Sequence, residues 1–214
     1  MKIILKSIIL LIITTFETNA QDIESSNGVF IDFDQFKSKQ ICLTQSINLK
    51  NHSDLLLSVD KIDSDCPRYK KPNKLIAIQY ENEIYYNMKY NVEFLTKNKF
   101  SRLLVRGKYC AFLVDESYPK NIQGQAGFHT GGLLGAIILG SNGKNKIYYL
   151  DIDQGHKTKV LTKNRLKELL SIDKKLLNSF NSEQSMSAEL FLKYLKRLNL
   201  KFENSNLLTK KVNK

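Results

Sequence analysis

The three histidines, His52, His129 and His156, are by residue type the best candidates for an acid, a base or a metal ligand. No two of them are spaced to share one helix face, as the ligands of a His-x-x-x-His motif are. A nucleophilic triad would need a histidine beside an activated serine, and the sequence contains no Gly-x-Ser-x-Gly turn. We therefore expect histidines in surface turns, and we assign no catalytic, metal-binding or cofactor-binding residue.

Two pairs of aspartates have the spacing to hold a cation or to share a proton, because alternate residues of a strand face the same side. Asp32 and Asp34 form one pair, and Asp151 and Asp153 form the other. The second pair resembles the start of a calcium loop, but Gly155 stands at the fifth position and no glutamate follows at the twelfth. We interpret it as a strand end that enters a glycine turn, where aspartates accept local hydrogen bonds.

The glycine-rich segment 124–143 is the least ordinary part of the chain, and residues 131–140 within it are almost wholly apolar. It lacks the Gly-Lys-Ser/Thr ending of a phosphate-binding loop. Ten apolar residues are also too few to cross a bilayer, which takes about 20 in a helix. We interpret the segment Gly124 to Gly140 as the glycine-rich entry to a buried strand, with a partner-contacting or membrane-touching flap as the alternative.

Short apolar or alternating runs between Gly28 and Val160 predict β-strands. The predicted strands are 29–33, 41–49, 55–57, 75–80, 84–87, 100–105, 109–114, 133–139 and 147–152. We expect hairpin turns at 81–83, at 106–108 around Gly107, and at the Asn142-Gly143 pair. The polar segment 51–73 holds Pro67 and Pro72, and we interpret most of it as loop.

After Leu161 the apolar residues recur with the period of a helix, and Thr162 is a plausible N-cap. Three leucine-rich stripes follow, at 166–170, 172–180 and 190–198. An antiparallel sheet followed by helices is the α+β pattern, so we predict a mostly antiparallel sheet with three C-terminal helices packed on it. We expect one domain over 21–199 and a basic, disordered tail over 200–214.

Residues 1–20 have the layout of a secretory signal peptide: Lys2, an apolar run, and small residues before Gln21. The run is about a dozen residues long with Lys6 inside it, so a cleaved signal is favoured over a membrane anchor. The first mature residue is not a cysteine, so we expect no lipid anchor. The sequence therefore predicts a protein exported to the periplasm or the cell exterior.

The charge of the chain is strongly positive, with 33 lysines and arginines against 21 acidic residues. Loss of Lys2, Lys6 and Glu17 with the signal would leave a net charge of +11. The lysines are dispersed and only five arginines remain, which favours a solvated surface with weak electrostatic contact to an anionic membrane. We do not expect nucleic acid as a partner.

Three cysteines, Cys42, Cys66 and Cys110, would meet an oxidising compartment after export. Three thiols allow at most one internal disulfide. A Cys42–Cys66 bridge is one option, although the sequence alone does not fix the pairing. Cys110 lies in an apolar strand and is expected to behave as a small buried residue.

Several short motifs in a fixed order resemble a group of uncharacterised exported proteins of Bacteroidota, a family of unknown function. They include Asn27-Gly28-Val29-Phe30, Ala77-Ile78-Gln79-Tyr80, Gly107-Lys108-Tyr109-Cys110-Ala111-Phe112 and Tyr148-Tyr149-Leu150-Asp151. The resemblance runs over most of the chain after the signal. It implies export and no known activity, cofactor or catalytic residue.

Two functions remain open at this point. The first is a non-catalytic envelope or secreted protein that binds an unknown partner or surface. The alternative is a hydrolase with an unrecognised active site, for which Asp151, Asp153, His129 and His156 are the first candidates. A hydrolase should bring one of these histidines within hydrogen-bond reach of a carboxylate.

Overall fold

The computed structural model describes residues 27–91, 98–115 and 145–212. The signal peptide at 1–20, His129 and the predicted strand 133–139 with its Asn142-Gly143 turn lie outside these residues. The α+β class is confirmed: the chain forms two antiparallel sheets followed by helices.

Seven strands form the larger sheet, in the order β2-β1-β5-β6-β7-β4-β3. They are β1 (Gly28–Phe30), β2 (Cys42–Leu43), β3 (Ser46–Ser53), β4 (Leu56–Asp63), β5 (Ala77–Tyr80), β6 (Glu83–Asn87) and β7 (Lys99–Arg102). The β5–β6 hairpin is confirmed, with a two-residue turn at Glu81 and Asn82, both of which have positive φ. That backbone matches the right-handed twist of paired strands.

The two edges of this sheet meet at one corner of the fold. The edge strands β2 and β3 are consecutive in the chain, and only Thr44 and Gln45 separate them. The Thr44 N–H donates to the Asn27 carbonyl beside β1, and the Gln45 N–H donates to the Asp63 carbonyl of β4. The sheet therefore curls until its edges are joined, and we call it the curled sheet and residues 44–45 its closing corner.

A disulfide lies beside the closing corner and resolves the pairing that the sequence left open. Cys42 on β2 is bonded to Cys66, which follows β4, with a Cα–Cα distance of 6.0 Å. Cys110 is free and buried, as expected, and burial raises the pKa of its thiol to about 11. The disulfide thus ties together the two sides of the curled sheet.

The two faces of the curled sheet have different neighbours. One face packs residues from both edges into a single cluster, including Val29, Ile47, Val59 and Ile78, so it is the concave interior. The other face, which includes Tyr86, packs against the second sheet. The curled sheet therefore has apolar residues on both sides.

The second sheet consists of β8 (Tyr109–Asp115), β9 (Asn145–Asp151) and β10 (Lys159–Val160), in the order β10-β9-β8. Alternate residues of a strand face opposite sides. Cys110 and Phe112 accordingly pack against the curled sheet, and Ala111 and Tyr149 pack against the helices. This sheet is the middle layer of three.

The described residues form four helices, and the first three begin after a residue whose side chain caps the helix. They are α1 (Phe33–Ser38), α2 (Lys163–Leu170), α3 (Lys174–Asn181) and α4 (Ala188–Val212). The side chains of Asp32, Thr162 and Asp173 accept hydrogen bonds from N–H groups in the first turns of α1, α2 and α3. Leucines and aromatic residues of α2 to α4 cover the outer face of the second sheet, as predicted. Within the described ranges, no helix combines the length and apolar character needed to cross a bilayer.

Several predicted elements differ from the structure. The loop prediction for segment 51–73 is wrong for its first half, because residues 51–53 and 56–63 belong to a long β3–β4 hairpin, and it holds for residues 64–71. Residues 33–38 form α1 instead of extending a strand. Ile172 is 61% exposed and does not join the helix stripe, and α4 continues to Val212 through the segment expected to be a disordered tail.

The predicted hairpin between 100–105 and 109–114 is wrong in its pairing. β7 pairs with β6 and β4 in the curled sheet, whereas β8 pairs with β9 in the second sheet. Between the two segments, the strand-like backbone pairing is a bridge between Val105 and Ala111, and the Ser101 hydroxyl also donates to the Leu113 carbonyl. Gly107 does occupy the turn, with φ of 143°. The connection therefore carries the chain from one sheet to the other.

Candidate functional site

The turn between β9 and β10 gathers three of the residues singled out in the sequence: Asp151, Asp153 and His156. We call residues 152–158 the junction turn. It contacts α1 and a 3₁₀ turn at Met88–Tyr90, which follows β6. Both of these elements belong to the curled sheet and its connections, so the junction turn joins the two sheets.

Asp153 lies between two lysines at one end of the junction turn. Its carboxylate oxygens lie 2.9 Å from Lys37 Nζ and 3.1 Å from Lys108 Nζ. Hydrogen bonds from Lys37, which has the larger effect, and from Lys108 lower the pKa of Asp153. The same hydrogen bond to Asp153 raises the pKa of Lys108. Asp153 therefore stays a carboxylate and Lys108 stays an ammonium at neutral pH, which suits neither for proton transfer.

Asp151 stabilises the junction turn through a local hydrogen bond. Its Oδ1 accepts a hydrogen bond from the Asp153 N–H at 3.0 Å, which is the local role expected for an aspartate before a glycine turn. Gly155 has φ of 111°, in the region that glycine adopts without steric cost.

His156 lies among aromatic rings. Its imidazole centroid lies 5.0 Å from the Tyr90 ring and 6.1 Å from the Phe33 ring, both in edge-to-face geometry. The buried Tyr86 hydroxyl donates to the His156 carbonyl, so the backbone of the junction turn is held as well. Within the part of the chain that the structure describes, no hydrogen bond or ion pair joins the His156 imidazole to a carboxylate, so the acid–base pair of the hydrolase alternative is not formed there by this histidine.

The first aspartate pair does not lie on a strand, contrary to our premise. Asp32 is the N-cap of α1 and also forms an ion pair with Arg68 at 3.0 Å. Asp34 is an exposed residue in the first turn of that helix. Among the described residues, no group of three or more histidine, cysteine or acidic side chains is arranged to hold a metal ion.

Sequence reasoning missed the partners that surround the junction turn. Lys37, Phe33 and Tyr90 lie far from it in the sequence, and their proximity depends on how the two sheets pack. One local signal was available, since Asp32 and Gln35 have the spacing of an N-terminal helix cap. That pattern would have revealed α1, although not its contact with Asp153.

The described residues form an α+β protein in which Asp153 and the backbone of the junction turn are held by contacts within the fold. The chain belongs to DUF6563, a family of unknown function, which matches residues 28–201. No curated protein and no solved structure matches the chain. The family thus agrees with the resemblance seen in the sequence in having no assigned function.

Replacement Asp153→Asn is expected to lower the free energy of unfolding at neutral pH by less than about 1 kcal/mol, because the ion pairs are about half exposed and screened by solvent. The folded pKa of Asp153 is lowered, so its contribution is present above the unfolded value of about 3.9. That contribution is lost as pH falls through the folded pKa. The Tm difference between wild type and variant should therefore shrink below about pH 4.

Thermal melts from pH 7 to acid conditions measure this difference. Asp60→Asn, a change at an exposed position of β4, is the matched control and should leave Tm unchanged. A Tm difference for Asp153→Asn that grew in acid would contradict the assignment.

Proposed function

We propose that this protein is exported, that residues 1–20 are removed as a signal peptide, and that the mature chain is a non-catalytic binding protein of the periplasm or cell exterior. The Cys42–Cys66 disulfide carries the proposal. Disulfides form and persist in oxidising compartments and are rare in the reducing cytosol. The resemblance to exported proteins of Bacteroidota supports the same compartment.

Binding to a partner or a surface is supported by what the junction turn offers. Its Asp153 is paired with Lys37 and Lys108 outside the turn, and its histidine packs on rings, so these side chains suit contact better than proton transfer. The excess of lysine adds a weak attraction to anionic surfaces, which salt screens over about 8 Å at physiological strength. We therefore propose an unknown protein or envelope partner, with membrane-surface contact as a secondary interaction.

Expression of the full chain in a bacterial host tests export. Intact mass of the protein recovered from the periplasm or medium should correspond to a chain that begins at Gln21 and lacks the two hydrogens of one disulfide. The matched control is Ala20→Leu, which places a large residue directly before the cleavage site and should leave the precursor uncut. Recovery of an uncut wild-type chain in the cytosol, with Cys42 and Cys66 reduced, would overturn the proposal.

A further inference from the structure

The side of α4 that faces away from the second sheet is basic. Buried positions of this helix, such as Tyr194 and Leu198, pack in the cluster between the sheet and the helices. The opposite side carries exposed residues at spacings of three, four and seven, which share one helix face. They are Lys193, Lys196, Arg197 and Leu200. From residue 190 to 202 the helix has four basic residues and no acidic one, so this face is a row of positive charge.

Two exposed apolar side chains lie at this row. The large hydrophobic residues that are exposed in the described ranges are Leu43, Ile172 and Leu200. Leu200 is 56% exposed and Ile172 is 61% exposed. Their neighbours in the chain, Lys201 and Asp173, form an ion pair at 3.3 Å, which brings Leu200 and Ile172 to the same part of the surface. We call Ile172, Leu200 and the three cations at 193, 196 and 197 the basic face.

The positive charge of the basic face is not neutralised within the described ranges. None of its three cations forms an ion pair there. Arg197 lies over the Tyr194 ring, 5.5 Å from its centroid, and the Asp173 carboxylate is engaged by Lys201. The three cations are therefore open to an external anion.

The composition of the basic face indicates what kind of anion it fits. A lysine-rich surface alone is usually solvated, but here apolar side chains lie among the cations. Lysines around exposed leucine or isoleucine are typical of faces that lie on anionic bilayers. Protein interfaces are instead depleted in lysine and centred on buried aromatic anchors. The basic face therefore matches phospholipid headgroups better than a protein partner.

We infer that the basic face docks on the surface of an anionic bilayer, with its cations at the lipid phosphates and Leu200 and Ile172 among the headgroups. The inference rests on the proposed function, and it names the surface that makes the membrane contact. Each lysine near an anionic membrane strengthens binding by about fivefold. Partial burial of one leucine adds a factor of similar size. The attachment is therefore reversible and depends on salt.

Sedimentation of the oxidised chain that begins at Gln21 with lipid vesicles tests this contact. We expect binding to vesicles made of equal parts phosphatidylglycerol and phosphatidylcholine, and at least about tenfold weaker binding to phosphatidylcholine alone. Salt raised from about 0.1 M to about 1 M shortens the screening length from about 10 Å to about 3 Å and should release the protein.

Variants at exposed positions locate the contact. Lys193→Gln with Lys196→Gln should weaken binding to the anionic vesicles by about tenfold or more. The matched control is Lys61→Gln with Lys70→Gln, which removes the same charge from exposed positions of the curled sheet and its connections and should stay within about twofold of wild type. Leu200→Gln leaves the charge unchanged and should weaken binding by about threefold or more.

Three results would overturn the inference: no binding of wild type to anionic vesicles, equal weakening in the two lysine pairs, or unchanged binding in Leu200→Gln together with the 193 and 196 pair. The first result would leave an acidic protein as the occupant that the charge favours. Failure of export is a separate outcome, because it is read from the mass of the expressed chain and does not alter how the purified chain binds vesicles.

Discussion

Replacement of Asn199 by alanine is expected to lower the free energy of unfolding by about 3–5 kcal/mol. Asn199 lies on α4 and is 3% exposed. Its Oδ1 accepts from the Tyr109 N–H at 2.9 Å, and its Nδ2 donates to the carbonyls of Tyr109 at 2.8 Å and Arg106 at 3.1 Å. Alanine would leave these buried backbone groups without their partner, at a cost of about 1–3 kcal/mol each, and would also open a small cavity.

The change should be visible as a fall in Tm of roughly 6–20 °C, because 1 kcal/mol shifts Tm by about 2–4 °C in a domain of this size. Asn204→Ala, at an exposed position of the same helix, is the matched control and should change stability by less than about 0.5 kcal/mol. Asn199→Asp keeps the acceptor but turns the donor into an oxygen that faces two carbonyls, so it should also destabilise. An Asn199→Asp variant as stable as wild type would contradict this role.

Loss of the Cys42–Cys66 disulfide is expected to lower the free energy of unfolding by about 3 kcal/mol. The bond closes a loop with a sequence separation of 24. Crosslinking a loop of that length reduces the conformational entropy of the unfolded chain, which raises the free energy of the unfolded state by about this amount. The double variant Cys42→Ser and Cys66→Ser should therefore melt roughly 6–12 °C below the oxidised wild type.

Two controls separate the disulfide from other effects of the cysteines. Treatment with a reductant should lower the Tm of wild type and leave that of the double serine variant unchanged. The Cys110→Ala variant lacks the buried free thiol but keeps the disulfide, so its Tm should still fall when reductant is added. A wild-type Tm that is indifferent to reductant, with alkylation showing that Cys42 and Cys66 are reduced, would refute the expected stabilisation.

The elements predicted well from the sequence are those in which the pattern is local. Phe180 and the leucine stripes of α2 to α4 follow the helical period, and the Thr162 cap is a residue type that favours that position. The β5–β6 hairpin is likewise short and continuous. These elements were predictable because neighbours in the sequence decide them.

The elements that were missed depend on partners distant in the sequence. The part of the β3–β4 hairpin that was missed, residues 51–63, has exposed polar residues such as Asp60 and Lys61, so it looked like loop although the curled sheet buries its apolar residues. β7 and β8 are adjacent in the chain, yet β7 pairs with β4 and β6. Strand partners are chosen by packing over the whole sheet, which propensity and period do not encode.

The sequence singled out the polar residues of the candidate site, but it did not predict which side chains surround them. Asp151, Asp153 and His156 were singled out, and the local role of Asp151 follows from the glycine turn. Lys37 and the rings around His156 come from α1 and the 3₁₀ turn, more than 60 residues away in the chain, and Lys108 comes from the residue before β8.

The closing corner also determines how the curled sheet can open. An ordinary open sheet frays from its two edge strands, where amides exchange with solvent first. Here β2 and β3 are both edges, yet Thr44 and Gln45 join them directly and the disulfide bonds Cys42 to the chain beyond β4. Neither edge can peel away without pulling on the other. At this end, the curled sheet should therefore open cooperatively, as a closed ring does, instead of losing its strands one at a time.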